Sequence, residues 1–117
     1  MSIDSPMHIA NRHDFNATYT NEFDSNQTNL SIISPTGNNK IKVTGVYIAV
    51  EGSANQGFVK LGFSGNTVAK AYIGAGQTLF DFKDILVSGA NGEDLKLNST
   101  LGSSQNFLVV VNYKDGI

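Results

Sequence analysis

Few side chains in this 117-residue chain are equipped for chemistry, and their spacing decides how far each can go. His8 and His13, the only two histidines, lie near Asp4 and Asp14 and could offer donors to a metal or half of a hydrolytic dyad. Their separation of five residues fits neither a helical pair nor a zinc pattern. A ligand set also needs a rigid outer shell, which so core-poor a stretch does not supply. The four are read as solvated. Asp81, Asp84, Glu93 and Asp94 fall in two acidic pairs. Two carboxylates opposed across a cleft, one with a raised pKa, would suit glycoside hydrolysis. A calcium loop needs more oxygens than Asn91-Gly92-Glu93-Asp94 provides. Acids at turn tips are more simply solvated. The chain has no G-x-S-x-G elbow, Walker loop or dinucleotide fingerprint, and its lack of cysteine removes thiolate chemistry and disulfides. No catalytic, metal-binding or cofactor-binding residue is assigned, and no enzyme is expected.

Binding surfaces are the next resort. Lys60, Lys70, Tyr47 and Tyr72 could share a face and touch nucleic acid. Eight bases against ten acids leave a net charge of −2, too weak a field for a polyanion, so no nucleic-acid partner is expected. Tyr47, Tyr72 and Tyr113 could stack on sugars, although Trp is absent; as half-buried strand residues with wet hydroxyls they need no ligand. N-x-S/T sequons at Asn16, Asn26, Asn29 and Asn98 are expected by chance in a chain this rich in Asn, Ser and Thr. The longest apolar runs are five residues, Val46 to Val50 and Phe107 to Val111, far below a membrane span. The opening MSIDSPMHIANRH has no apolar core of a signal peptide.

The elements that must position these groups are strands. Asn, Ser, Thr and Gly make up 44 of the 117 residues, whereas Glu occurs three times and Arg once. Side chains that compete for backbone hydrogen bonds, together with turn-forming Gly and Asn, disfavour helix. Between them lie Val/Ile/Phe/Tyr runs, which predict an all-β fold. Residues 1–28 contain no Val or Leu and predict an extended N-terminal arm, in which Phe15-Ala17-Tyr19 could form one edge strand. Residues 29–117 predict a β-sandwich domain. In Lys40 to Glu51 the apolar phase slips at Thr44-Gly45, which predicts a β-bulge. Val59, Leu61 and Phe63 share one side of the next strand, and Ser64-Gly65-Asn66-Thr67 links it as a hairpin to Val68 to Ile73. Thr78 to Val87 reads as one strand, and Asn91-Gly92 as a hairpin turn. Phe107 to Tyr113 is apolar on both faces and predicts a central strand. The sum is a jelly-roll-like antiparallel β-sandwich of about seven or eight strands.

The stretch from Thr28 to Ile48, with its Pro35-Thr36-Gly37 turn and its Lys42-Val43-Thr44-Gly45-Val46-Tyr47-Ile48 strand, resembles small all-β structural proteins of tailed bacteriophages. The closing Val109-Val110-Val111-Asn112-Tyr113 strand fits the same outline, and the resemblance covers about residues 28–114. It implies a virion structural protein of the capsid decoration (cement), head-fibre or tail-associated type, commonly a homotrimer. On that basis the expectation is a protein on the capsid surface that clamps adjacent major capsid protein subunits. The alternative is a receptor- or glycan-binding tip of a fibre or tail protein. An extended arm of 28 residues could reach about 90 Å at ~3.3 Å per residue. Its Phe15, Tyr19 and Phe23 would then dock on a neighbour, and deleting residues 1–28 should leave a folded sandwich that no longer binds the shell.

Overall fold

The computed structural model describes residues 17–51, 56–74, 77–102 and 105–117, which form strands, turns and loops and no helix. The strands are β1 (Ala17–Phe23), β2 (Leu30–Ile33), β3 (Lys40–Val50), β4 (Gly57–Phe63), β5 (Asn66–Ile73), β6 (Leu79–Phe82), β7 (Val87–Ser88), β8 (Leu95–Ser99) and β9 (Phe107–Gly116). They pair in a nested series: β4 with β5, β3 with β6, β2 with β8, and β1 with β9, all antiparallel. A two-ply ribbon paired in this way rolls up so that alternate pairs fall in opposite layers. The lateral joins β3–β9 and β4–β8 complete a front sheet, ordered β1-β9-β3-β6 with β7 also on β3, and a back sheet, ordered β2-β8-β4-β5. This nesting, split between two packed antiparallel sheets, is the jelly-roll form of the β-sandwich.

The core is made by strand alternation. Val59 and Leu61 of β4 and Leu95 and Leu97 of β8 point inward from the back sheet; Ile41, Ile48, Val109 and Val111 do so from the front, and all eight are fully buried. Truncating any of them to Ala would cost about 2–5 kcal/mol. β9 lies between β1 and β3, as its two apolar faces require. The β3–β9 register shifts between Val43 and Gly45, where the apolar phase slips. There the extra residue turns Thr44 inward, and its buried hydroxyl donates to the Asn112 carbonyl at 3.2 Å.

Three features depart from the sequence reading. The single strand expected over Thr78 to Val87 is broken into β6 and β7, with Asp84 at a φ of 53° between them. Asn91-Gly92 does form a tight turn, with Gly92 at a φ of 74° and the Glu93 amide donating to the Ala90 carbonyl. It is not a hairpin, however, because β7 belongs to the front sheet and β8 to the back. A turn sequence dictates that the chain reverses; it does not dictate which strands then pair. Finally, the edge strand suggested by the alternation at Phe15-Ala17-Tyr19 does form, over Ala17 to Phe23, but as the edge of the front sheet itself rather than part of a free arm, paired with β9 over seven residues. The connection after it is tied down by side chains: the Asn26 amide group bonds both the N–H and the C=O of Leu101, at 2.8 and 3.1 Å. Residues 17–28 are thus integrated with the sandwich. Of the arm expected over 1–28, residues 1–16 lie outside the described residues.

Candidate functional site

Each sheet leaves an outer face, and the two differ in chemistry. On the back sheet, β4 turns Phe58, Lys60 and Gly62 outward; β5 adds Lys70 and Tyr72, and β8 adds Lys96 and Asn98. The register aligns Asn98, Lys60 and Lys70 in one row across three strands, with Phe58 opposite Tyr72 beside it and Lys96 opposite Gly62 on the other side. Lys70 folds over the aromatic pair, its Nζ 4.3 Å from the Phe58 ring centre and 4.8 Å from that of Tyr72. Such cation–π contacts are worth about 0.5–1 kcal/mol at exposed sites.

Gly62 shapes the centre of this face. The β4–β5 register shifts between Leu61 and Gly62, and a side chain at Gly62 would come within 2.8 Å of the Asn66 carbonyl oxygen. The bare backbone floors a depression of about 590 Å³ walled by Lys60, Lys96, Asn29 and Asn98. Asn29 and Asn98 lock each other: the Asn29 amide donates to Asn98 Oδ1 at 2.9 Å, and Asn98 Nδ2 donates to Asn29 Oδ1 at 3.3 Å. Glu93 closes one end as a structural clasp, accepting from the Ser64 amide at 2.6 Å and the Ala90 amide at 2.8 Å.

Charge is partitioned between the sheets. The four back-sheet strands carry Lys60, Lys70 and Lys96 and no carboxylate. Among the described residues none of these lysines is ion-paired. The front-sheet strands balance Lys40, Lys42 and Lys114 with Glu22, Asp81 and Asp115. The front outer face is instead apolar at its centre. Leu108 and Val110 of β9 lie beside Ala49 and Tyr47 of β3, and Leu79 of β6 extends the stripe with 57% of its surface exposed. A second depression, of about 330 Å³, lies over the Gly45 bulge.

The groups singled out in the sequence are dispersed. Lys60, Lys70 and Tyr72 do share a face, but Tyr47 lies on the opposite sheet and Tyr113 points toward the core. The three tyrosines therefore make no common sugar platform. Asp81 and Asp84 line the front depression and Glu93 and Asp94 the back one, so the two acidic pairs do not oppose each other across a cleft. Tyr19 and Phe23 are half-buried against their own core, with the Phe23 ring stacked on Phe107 at 5.1 Å. Phe15, His8, His13, Asp4 and Asp14 lie outside the described residues. Phe58, Lys96, Asn29 and Asn98 were not foreseen as neighbours. The polar–apolar alternation of β4, β5 and β8 does assign outward positions, but only the pairing register aligns them. In comparisons with known proteins, no family model matches this chain and no curated protein matches it.

Proposed function

We propose that this chain is a virion structural protein, a capsid decoration (cement) protein of a tailed bacteriophage that clamps adjacent major capsid protein subunits as a homotrimer. The observation that carries the reading is the apolar outer stripe on the front sheet, where Leu108, Val110, Tyr47 and Leu79 face away from the core. Central strands that are apolar on both faces suit a subunit whose sheet is covered on assembly. The resemblance of residues 28–114 to small phage structural proteins points the same way. Jelly rolls recur in viral capsid and lectin domains, an analogy of fold that does not by itself assign a role. A surface rich in Asn, Ser and Thr leaves little charge to desolvate on packing. Three weak footprints linked by symmetry would give the avidity that one lacks.

Native mass is the first test. A species of three times 12.5 kDa, about 37.5 kDa, is expected, and a 12.5 kDa monomer at working concentration would remove the trimer. Sedimentation with capsids of the parent phage tests the clamp itself. Full-length protein should co-sediment, and loss of co-sedimentation on deleting residues 1–16 would assign shell contact to the stretch containing Phe15. Failure of the full-length protein to bind the shell would overturn the cement role.

A further inference from the structure

We propose that the outer face of the back sheet is a binding surface for a carboxylate-bearing saccharide, gripped at the depression over Gly62 and stacked against Tyr72. This goes beyond the structural role, because it uses the sheet opposite to the apolar stripe. Three observations combine. The first is charge: Lys60, Lys70 and Lys96 project from strands that hold no carboxylate, in a chain whose net charge is −2. Lys60 and Lys70 are directly opposed across β4 and β5, like charges that an anion would relieve, with Lys70 otherwise met by the Phe58 and Tyr72 rings. The front sheet also opposes two lysines, Lys42 and Lys114, but Lys42 Nζ has an oxygen of Ile117 at 3.4 Å. Lys60 and Lys70 have no such acceptor among the described residues.

The second observation is the aromatic shelf. Tyr72 is 68% exposed, and Lys70 Nζ lies over its ring and that of Phe58, so aromatic surface and an ammonium are offered together. A sugar ring has that pairing of needs: its C–H face stacks on an aromatic ring, and its carboxylate takes the ammonium. The third is the polar depression itself. Its volume of about 590 Å³ falls within the usual range for small-ligand sites of about 300–1,000 Å³. The mutual hydrogen bonds of Asn29 and Asn98 hold their amides in place while leaving further donor and acceptor capacity for hydroxyls. Asp94, which also lines the depression, can accept from a saccharide hydroxyl, and the ligand's carboxylate is left to Lys60 and Lys70 beside the aromatic shelf.

The test is titration of the ¹⁵N-labelled full-length protein at low salt with trigalacturonate and with 3′-sialyllactose. Maltotriose and lactose serve as neutral counterparts, and a dT12 oligonucleotide as the competing polyanion. The expected result is that at least one acidic saccharide shifts the amides around Lys60, Lys96 and Tyr72 and binds at least tenfold more tightly than its neutral counterpart. The double variant Lys60→Ala/Lys96→Ala should weaken binding at least tenfold, and Tyr72→Ala severalfold, while Lys114→Ala on the front sheet changes neither. Retained shift dispersion would confirm that each variant is folded. Tighter binding of dT12 would overturn the proposal in favour of a nucleic-acid surface. No shift with either acidic saccharide, or equal loss with Lys114→Ala, would overturn it outright. Native mass and capsid binding do not enter this test, so it can fail while the cement role stands, and the reverse.

Discussion

At the residue scale, a few groups hold the loops that no strand secures. Gly57 begins β4 at a φ of 116°, and a Cβ there would lie 1.6 Å from the Thr100 carbonyl oxygen, which is backbone and cannot swing away. Gly57→Ala should therefore cost about 3 kcal/mol or more, through a strained backbone and a steric clash, and a thermal melt would show it. Asn26 imitates a strand neighbour for Leu101 with one side-chain amide. Asn26→Ala leaves a backbone donor and an acceptor there without that partner, and should lower stability by about 1–3 kcal/mol in urea unfolding. Asp115 fixes the β2–β3 turn, accepting from the Thr36 hydroxyl at 2.7 Å and the Thr36 amide at 3.1 Å. Those bonds, led by the hydroxyl and joined by the Asn39 side chain, outweigh desolvation and hold its carboxyl below the usual carboxylate range. A depressed folded-state pKa contributes stability above the unfolded-state value, and the contribution is lost as pH falls through the folded value. The stability gap between the native protein and Asp115→Asn should accordingly be present at pH 7 and narrow as pH drops below about 4.

At the element scale, the same physics explains what the sequence made legible and what it did not. The bulge in β3 and the central place of β9 were readable because burial writes itself as alternation: a slip at Thr44-Gly45 can be accommodated only by an extra residue, and two apolar faces require two neighbours or covers. Partnerships were less readable. Asn91-Gly92 carries the chemistry of a turn but links strands in different sheets, since β7 is only two residues long and finds its partner on β3. β1 was half legible: the alternation at Phe15-Ala17-Tyr19 marked an edge strand, but its composition hid the sheet it joins. Its outward Thr18, Thr20 and Glu22 are polar, and its inward Tyr19 and Phe23 gain burial only from β9, about 90 residues away in the chain. For the same reason the back-sheet face was only half visible: Lys60, Lys70 and Tyr72 could be placed together, but Lys96, Asn29 and Asn98 join them only through the β4–β8 register and the β2–β8 side chains. The position of β1 changes an expectation. Deleting residues 1–28 would remove an edge strand, uncover the Phe107 ring and release the Asn26 tie, so it should destabilise the sandwich. Phe23→Ala alone should cost about 1–3 kcal/mol, part of it from the lost ring stacking. If that deletion instead melted at the native temperature, β1 would be dispensable to the fold.

At the scale of the whole molecule, the nested pairing sets two chemically distinct surfaces back to back. Alternate pairs of the rolled ribbon fall in opposite sheets, so the lysines of β4, β5 and β8 are collected on one side and the apolar outer residues of β9 and β3 on the other. One side can then be covered by assembly while the other stays open, provided the two act independently. A stable protein–protein contact buries roughly 800 Å² per partner, at about 25 cal/mol per Å² of apolar surface, so charges placed in the stripe should be decisive there. The double variant Leu79→Asp/Val110→Asp introduces two such charges at positions that face away from the core, where their cost to the isolated sandwich should stay within about 1 kcal/mol each. If the proposed trimer forms through the stripe, analytical ultracentrifugation should show the variant at the single chain mass of 12.5 kDa rather than at three times it, about 37.5 kDa, with unchanged far-ultraviolet dichroism. The Lys60→Ala/Lys96→Ala variant should keep the larger mass, because its charges lie on the other sheet. If the lysine variant dissociated and the stripe variant did not, the back sheet would be the assembly face, and the assignment of the two surfaces would have to be exchanged.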